Sequence, residues 1–272
     1  MTRQSPAPLY GSPWPQLLAQ AQLGAGFRAC LCSLRGDGGA LPGEPGEFAA
    51  AEALSPAERE AILRLQGPPR RREEWLAGRL AAKDAVRMHL RDVLGTDVAP
   101  AALEILSDAH GRPIAGGDAL LELGCGIHVS ISHSQGTAAA VACASAGLCG
   151  VGADIEYVTG NHDGLAELAL ADQERPLLAL APHSAEREWL IRLWCAKEAV
   201  AKALGRGMLG GPWNLIARSL DLRSGQVEME VAGALAAAMP QYTGLRFPVH
   251  TGRAGDLAYA SAVAPAVGAR PH

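Results

Sequence analysis

Apolar and polar positions in the first third of the chain predict one strand followed by two helices. Residues 27–34 alternate enough to form a strand of a half-buried sheet. Ser55 is followed by a proline and then by Glu58, which is the composition of a helix start with a capping box. This first helix is expected to end near Gln66, ahead of a glycine and two prolines.

A longer helix is expected from about residue 71 to residue 94, with Gly95 as its C-terminal stop. Its leucines and valines suit one apolar face. Basic residues recur at every fourth position, at Arg79, Lys83, Arg87 and Arg91. Such a stripe is either a solvated helix face or a cationic binding surface, and the spacing alone favours neither.

The middle of the chain predicts short strands. The expected elements are a strand at 103–106, a loop at 110–114, hairpin arms at 127–132 and 137–143 with a turn at 133–136, a glycine-rich connector at 146–150 and a strand at 151–158.

In the last third, an alanine-rich helix is expected to begin near Ser184, a plausible N-cap, and to continue to Gly205. Short strands are expected at 215–222, 226–231 and 257–263. The first 48 residues are rich in proline and glycine, and residues 265–272 resemble a tail. The pattern as a whole predicts an α+β fold.

Two helical segments repeat at an offset of 114 residues. Residues 75–86 and 189–200 align without gaps, with six of the twelve positions identical and Asp84 opposite Glu198. We therefore expect a pseudo-twofold pair of similar α+β subdomains, at 1–145 and 146–272, with a ligand site in the cleft between them. The copies differ in chemistry, because Met88 stands where the second copy has Lys202.

The amino-acid composition indicates the class of protein and argues against some kinds of partner. A hydrophobic fraction of 49% with 19% charged residues is typical of a soluble globular chain. The net charge of −4, without a polybasic run, argues against nucleic acid or an anionic membrane as partner. Six cysteines without a CxxC pair, in a chain that opens with no secretory signal, favour reduced thiols and a cytoplasmic location.

Three carboxylates and one lysine are the candidate metal-binding and catalytic groups. Asp154 and Glu156 are two residues apart, which places them on one face of the predicted strand, about 6.5–7 Å apart at Cα. Glu198 and Lys202 are four apart, on one face of the predicted helix. Brought together, the acids would hold Mg²⁺ beside a basic group, an arrangement that suits phosphate chemistry. Taken separately, the first pair is more simply explained as a polar strand face and the second as a surface ion pair.

Two residues of the first half are candidates for phosphate contacts. His133 lies at the expected hairpin turn between two serines, and Arg112 lies between a glycine and a proline, which would present its guanidinium rigidly. The phosphate-binding loop of NTPases, the dinucleotide-binding glycine motif, HExxH and GxSxG are all absent. Kinase, Rossmann, zincin and serine-hydrolase interpretations are therefore without support.

In order along the chain, four blocks resemble the motifs of the Sfp-type 4′-phosphopantetheinyl transferases. They are His-Gly-Arg-Pro at 110–113, Ser-Ile-Ser-His-Ser at 130–134, Gly-Ala-Asp-Ile-Glu at 152–156 and Trp-Cys-Ala-Lys-Glu with Lys202 at 194–202. Trp75 and Arg79 fit a further aromatic-x-x-Gly-Arg pattern. The departures from the family pattern are Arg112 in place of lysine and Ala153 in place of a larger aliphatic residue.

The resemblance implies the fold of that family and its site residues. By it, Asp154, Glu156 and Glu198 are metal ligands, and Glu198 and Lys202 are catalytic. The residues that it implies for coenzyme A binding are Arg79, Lys83, Arg112, Ser132, His133 and Lys197.

The resemblance also implies an activity. It is the Mg²⁺-dependent transfer of the 4′-phosphopantetheine arm of coenzyme A to a serine of an acyl or peptidyl carrier protein, with release of 3′,5′-ADP, by a monomer that carries both halves. Two alternatives remain: a coenzyme A-binding protein without catalysis, and the same transferase as one domain of a larger synthase.

Overall fold

The computed structural model describes residues 10–14, 27–33 and 52–267, and predictions for the rest of the proline- and glycine-rich start lie outside them. The helices are α1 (Pro56–Arg64), α2 (Pro69–Leu94), α3 (Asp118–Leu123), α4 (Leu165–Ala169), α5 (Arg175–Leu178), α6 (Glu186–Leu204) and α7 (Gly233–Ala238). The strands are β1 (Ser12–Pro13), β2 (Arg28–Ser33), β3 (Glu104–Ser107), β4 (Pro113–Gly116), β5 (Ile127–Ser134), β6 (Thr137–Ala144), β7 (Leu148–Tyr157), β8 (Leu215–Leu220), β9 (Gln226–Val231), β10 (Phe247–Ala254) and β11 (Leu257–Pro265).

The mixed α and β composition confirms the predicted fold class. Contacts divide the chain into two compact units that separate between Ala146 and Gly147. The first unit has an antiparallel sheet in the order β1-β2-β6-β5-β4-β3, and α2 packs on it. The second has a sheet in the order β7-β11-β10-β9-β8, and α6 packs on it.

The two units share one connectivity. Apart from β1, each runs from a first strand through a long helix to four strands, the last of which lies beside the first strand. Each unit also has its own apolar core, centred on its long helix. The repeat in the sequence therefore corresponds to two structural units of similar fold.

Local chemistry explains where the long elements begin and end. The predicted capping box is present, because the Ser55 backbone donates to Glu58 and the Glu58 backbone donates to the Ser55 hydroxyl. Helices α2 and α6 end at Gly95 and Gly205, which both have left-handed backbone angles that glycine adopts at little cost.

Several predicted boundaries were wrong. The turn of the β5–β6 hairpin is only Gln135–Gly136, so His133 is a strand residue; both turn residues have positive φ, as a two-residue hairpin of this type requires. Helix α6 begins at Glu186, after a short 3₁₀ turn that includes Ser184.

Other predictions about the middle of the chain hold only in part. The expected loop at 110–114 includes the start of β4, and β7 begins at Leu148, inside the expected connector. No disulfide bond forms among the six cysteines, all of which lie within the described residues. Among the described residues, no helix is both long and apolar enough to cross a bilayer.

Candidate functional site

A close approach between β7 and α6 builds the candidate site. At Gly152, an added Cβ would lie 1.8 Å from the Ala199 carbonyl oxygen and 2.7 Å from the Ala203 nitrogen. Only glycine lets the strand come so near to the helix. Asp154 lies two residues further along, on the same face of β7, so it is held against the helix that carries Glu198 and Lys202.

Asp154 and Lys202 form an ion pair across these two elements. Lys202 Nζ is 2.7 Å from Asp154 Oδ1, and the side chains are 29% and 7% exposed, respectively. Burial by itself would lower the pKa of Lys202, but attraction to Asp154 and Glu198 outweighs it, and this pKa is raised. The ammonium is therefore charged at neutral pH.

The carboxyl group of Glu198 is affected by the same neighbours. Burial raises its pKa, the charge of Asp154 raises it further, Lys202 opposes both, and Glu156 adds a smaller increase. A carboxyl whose pKa is shifted toward neutrality is suited to accept and release a proton. Asp154, Glu198 and Lys202 are thus brought together within the second unit, and the charge of Glu156 acts on Glu198.

Cys195 is a site residue that the motif comparison missed. Its thiol is fully buried on α6, near the carboxylates of Asp154 and Glu156. Burial, followed by the charges of Asp154 and Glu156, raises the thiol pKa well above its usual value. The thiol is therefore neutral at physiological pH. Its position three residues before Glu198, on the same helical face, is the signal that could have identified it.

The structure does not support a coenzyme A-binding role for Lys197. The side chain is fully buried, its Nζ lies 2.6 Å from Glu174 Oε2, and it donates to the Pro212 carbonyl at 3.1 Å. Glu174 in turn accepts the backbone N–H groups of Ala171 and Ala217. Lys197 therefore ties α6 to the segments on either side of it and has no exposed surface for a phosphate.

Lys83 has the same arrangement in the first unit, so its predicted coenzyme A contact is equally unsupported. It is fully buried, lies 2.6 Å from Glu58 Oε2, and donates to the carbonyls of Ala53, Pro100 and Leu103 at 2.6–2.8 Å. Burying a charged pair is tolerated when hydrogen bonds satisfy the remaining donors and acceptors, as they do here. The expected basic stripe is thus neither a solvated face nor a continuous binding surface.

Arg79 is half-buried and held in place by its own unit. Its guanidinium lies 4.3 Å from the centre of the Trp75 ring and donates to the Ile105 carbonyl and the Ser107 hydroxyl, each at 3.2 Å. Burial lowers its pKa to about 10, so it stays charged at neutral pH. A fixed, charged guanidinium is compatible with the predicted anion contact.

The structure separates the other predicted residues of the first unit. His133 is exposed and Ser132 is buried, because neighbouring residues of β5 point to opposite faces of the sheet. Arg112 is half-buried, and its guanidinium lies 3.3 Å from Nδ1 of His128, a residue that the sequence did not single out. Their assignment to coenzyme A rests on the motif resemblance.

The acidic cluster fits a hard cation in its donor chemistry. Asp154, Glu156 and Glu198 supply the oxygen ligands that Mg²⁺ prefers. Burial is the main cause of the raised pKa of Glu198, and a divalent cation would relieve the additional repulsion from Asp154 and Glu156. As positioned, however, no three acidic, histidine or cysteine side chains among the described residues form a metal-holding group. One oxygen of Asp154 is instead bound to Lys202.

The first unit has a counterpart of this site in which sulfur replaces two of the three carboxylates and the lysine. When the β5–β6 and β10–β11 hairpins are aligned on their matching turns, Cys30 stands in place of Asp154 and Cys32 in place of Glu156. Cys30 Sγ lies 3.2 Å from Met88 Sδ, in place of the contact between Asp154 and Lys202. The chemistry is thus specific to the second unit.

In the first unit, the acid that corresponds to Glu198 has a structural role. Asp84, which stands in place of Glu198, accepts the backbone N–H groups of Tyr10 and Gly11 at 2.8 and 3.0 Å. It therefore anchors the segment that includes β1.

Comparison with known proteins agrees with this location. The model of the 4′-phosphopantetheinyl transferase superfamily matches residues 150–247, which lie in the second unit. Holo-(acyl-carrier-protein) synthase of Geobacillus sp. (strain WCH70) is 40% identical over 81 residues, which are 29% of this chain and 63% of the relative. The chain thus spans slightly less than two thirds of that relative's length.

Further relatives carry the same name. The holo-(acyl-carrier-protein) synthase of Solidesulfovibrio magneticus is 46% identical over 97 residues, 34% of this chain and 74% of the relative. Among solved structures, the synthase of Neisseria meningitidis is 23% identical, with 44% of this chain and 99% of that one covered and a TM-score of 0.37. On the sequence relatives, the chain belongs to the 4′-phosphopantetheinyl transferase superfamily.

Proposed function

We propose that this chain transfers the 4′-phosphopantetheine arm of coenzyme A to a serine hydroxyl of an acyl or peptidyl carrier protein and releases 3′,5′-ADP. The observation that carries the proposal is the assembly of Asp154, Glu198 and Lys202 where β7 meets α6. The names of the sequence relatives support the same reaction class.

In the proposed reaction, the serine oxygen forms a bond to the phosphorus of the phosphopantetheine arm as the bond from that phosphorus to the 3′,5′-ADP oxygen breaks. Glu198 takes the serine proton, a role that fits its raised pKa. The ammonium of Lys202 neutralises charge on the leaving phosphate. Mg²⁺, held by Asp154, Glu156 and Glu198, would neutralise the pyrophosphate.

Contacts to the rest of coenzyme A are proposed for Arg79, Arg112 and His133. Arg79 has the best support, because its charged guanidinium is already fixed by a ring and two oxygen acceptors. Positioning and charge neutralisation are the main contributions of a protein to phosphoryl transfer, and fixed cations supply both.

The test is incubation of the chain with coenzyme A, Mg²⁺ and a panel of apo carrier proteins, followed by mass spectrometry of each carrier. We expect the phosphopantetheine mass on at least one of them. Failure with every one of several diverse carriers would refute the transferase and leave the non-catalytic alternative. A transferase from within a larger synthase would modify its own carrier domain in preference to the others.

Glu198→Gln separates binding from catalysis. The amide keeps the size of the side chain but cannot take a proton, so transfer should fall by at least about 100-fold, a typical share for a general base. Coenzyme A binding, measured by calorimetry, should stay within a few fold of the wild type. Near-normal transfer by this variant would remove Glu198 from the chemistry.

A further inference from the structure

Arg112 is held by its backbone at the end of a tight, exposed turn. The backbone N–H groups of His110 and Arg112 donate to the Asp108 carboxylate at 2.8 and 2.9 Å, and the Asp108 N–H donates to the Arg112 carbonyl at 2.9 Å. The bonds that this carboxylate accepts are the main reason why the pKa of Asp108 is lowered, and the charge of Arg112 contributes less. The turn therefore fixes the point from which the Arg112 side chain starts.

The far end of that side chain meets a histidine on the neighbouring strand. Ile114 of β4 is paired with His128 of β5, and Arg112 comes two residues before Ile114, so the arginine is a diagonal neighbour of the histidine across the two strands. One guanidinium nitrogen of Arg112 lies 3.3 Å from His128 Nδ1. The orientation of the guanidinium thus depends on a residue of another element.

The chemistry of the two groups decides which nitrogen of His128 carries the proton. A guanidinium only donates hydrogen bonds. Nδ1 of His128 must therefore be the acceptor, which requires a neutral ring with its proton on Nε2. A neutral acceptor orients the guanidinium without cancelling its positive charge, as a carboxylate would.

Other arginines of the first unit contact carboxylates. Arg28 pairs with Asp92, and Arg87 lies within 3.5 Å of carboxylate oxygens of Asp84 and Asp97. Such pairs tie elements together and offset the charge of the arginine. The contact of Arg112 with an imidazole is of a different kind, because an incoming phosphate would still meet the charge of a guanidinium that is already oriented.

The contact also lies on the appropriate face of β5. Val129 belongs to the apolar core around α2, so His128, its half-buried neighbour, points to the opposite face of the sheet. Ser132 lies on that same face, four residues further along. Because the motif resemblance assigns both Ser132 and Arg112 to coenzyme A, the histidine is placed between two expected ligand contacts.

We propose that His128 is a positioning residue for coenzyme A: its neutral imidazole orients the Arg112 guanidinium toward a phosphate group of that substrate. The inference rests on the proposed function, in which Arg112 contacts coenzyme A, and adds a role for a residue outside the motif blocks. His128 acts through Arg112, so its removal should weaken substrate binding and leave the chemical step nearly intact.

The first test measures the Kd of 3′,5′-ADP by calorimetry, and KM and kcat for coenzyme A. His128→Leu has no acceptor, so Kd and KM should both rise about fivefold or more, with kcat within about twofold of the wild type. His128→Asn places an amide oxygen near the position of Nδ1 and should restore both constants to within about twofold, whereas the longer His128→Gln should not. Wild-type binding by His128→Leu, or equal losses in the leucine and asparagine variants, overturns the proposal.

A double-mutant cycle tests whether the histidine acts through the arginine. Arg112→Ala should weaken 3′,5′-ADP binding, and adding His128→Leu to it should cost nothing further. Additive losses would contradict the proposal. His110→Asn, in the same turn, is the matched control: it keeps the backbone N–H that donates to Asp108 and should leave Kd and KM unchanged.

Heteronuclear NMR of the nitrogen-labelled chain reports the tautomer directly. At neutral pH, Nδ1 of His128 should give the signal of an unprotonated nitrogen, and that signal should move in Arg112→Ala; a proton on Nδ1 overturns the proposal. If the binding changes appear but no carrier is modified, the proposed transfer fails and the positioning role stands. Carrier modification with an unchanged KM in His128→Leu has the opposite meaning, and absence of 3′,5′-ADP binding by every protein, wild type included, also overturns the positioning role.

Discussion

His250 is a buried histidine kept neutral by its surroundings. It lies on β10 with 4% of its surface exposed, and neither ring nitrogen has a hydrogen-bond partner among the described residues. Burial, with a contribution from the charge of Arg192, lowers its pKa to about 4. Below pH 6.5 the unfolded chain takes up a proton that the folded chain refuses, so the folded state loses stability as the pH falls toward 4.

We therefore expect His250 to cost the fold about 2 kcal/mol between pH 6.5 and pH 5, given 1.36 kcal/mol for each pH unit. His250→Leu should remove that part of the pH dependence. Urea unfolding of both proteins at pH 7.5 and pH 5 gives the free energies, and subtraction cancels the other titrating groups. The same loss of stability on acidification in both proteins would contradict the assignment.

The side chains that meet at the candidate site could be predicted from spacing and motif, but their partners could not. Lys202 was expected to face a phosphate, and the structure places it on Asp154, 48 residues earlier. Lys197 and Lys202 are both lysines of one helix, five positions apart, yet one is buried in the core and the other lies in the site. That difference depends on which helical face meets the sheet, which the helix sequence alone does not decide.

Among the elements, the contact of β7 with α6 determines the geometry of the site. Gly152 permits that contact, and the extended backbone there is one that any residue could adopt, so the requirement is for space alone. The glycine of the Gly-x-Asp-x-Glu motif is thus required for steric reasons, independently of the chemistry of the two carboxylates.

Gly152→Ala should force β7 away from α6 and destabilise the protein by about 1–3 kcal/mol, the usual range for overpacking. It should also lower the transfer rate by at least about tenfold, because displacing Asp154 and Glu156 from Glu198 misplaces the groups to which the proposed function assigns the reaction. The measurements are the thermal midpoint and the rate of carrier modification.

Gly116→Ala, on β4, is the control, since nothing lies within 4 Å of its added Cβ. It should change neither quantity. Wild-type behaviour of Gly152→Ala would show that the strand has room that the structure does not indicate.

The long helices and the β5–β6 hairpin were predictable because capping residues and alternation are local signals. Strand β10 was missed for a physical reason: its buried residues include consecutive positions 249–251, and it contains a proline and a glycine, so it shows no alternation. The small helices α3, α4, α5 and α7 are four to six residues long, too short to have a detectable period.

At the scale of the whole molecule, the chain contains one fold pattern twice. Each unit keeps its own apolar core and its own buried lysine–glutamate pair, Lys83 with Glu58 and Lys197 with Glu174. The repeat at 114 residues was visible in sequence because the buried lysines and most of the residues beside them are identical. The two units differ on the first strand, where the second unit has carboxylates and the first unit has cysteine sulfurs.

Because both copies lie in one chain, we expect a monomer. Light scattering after size-exclusion chromatography should give a mass near 28.2 kDa for the full chain. A mass of twice that value, independent of concentration, would show that the protein is a stable dimer, which contradicts this expectation.

The distribution of lysine has a practical consequence. The chain has three lysines, and Lys83 and Lys197 have no exposed surface. Lys202, partly exposed beside the carboxylates, is the one lysine side chain that a reagent in solution can reach in the folded protein. An amine-directed label reacts only with the deprotonated amine, so at alkaline pH, where the raised pKa of Lys202 is approached, it should mark a single lysine. A fluorophore placed there would report directly on what enters the site.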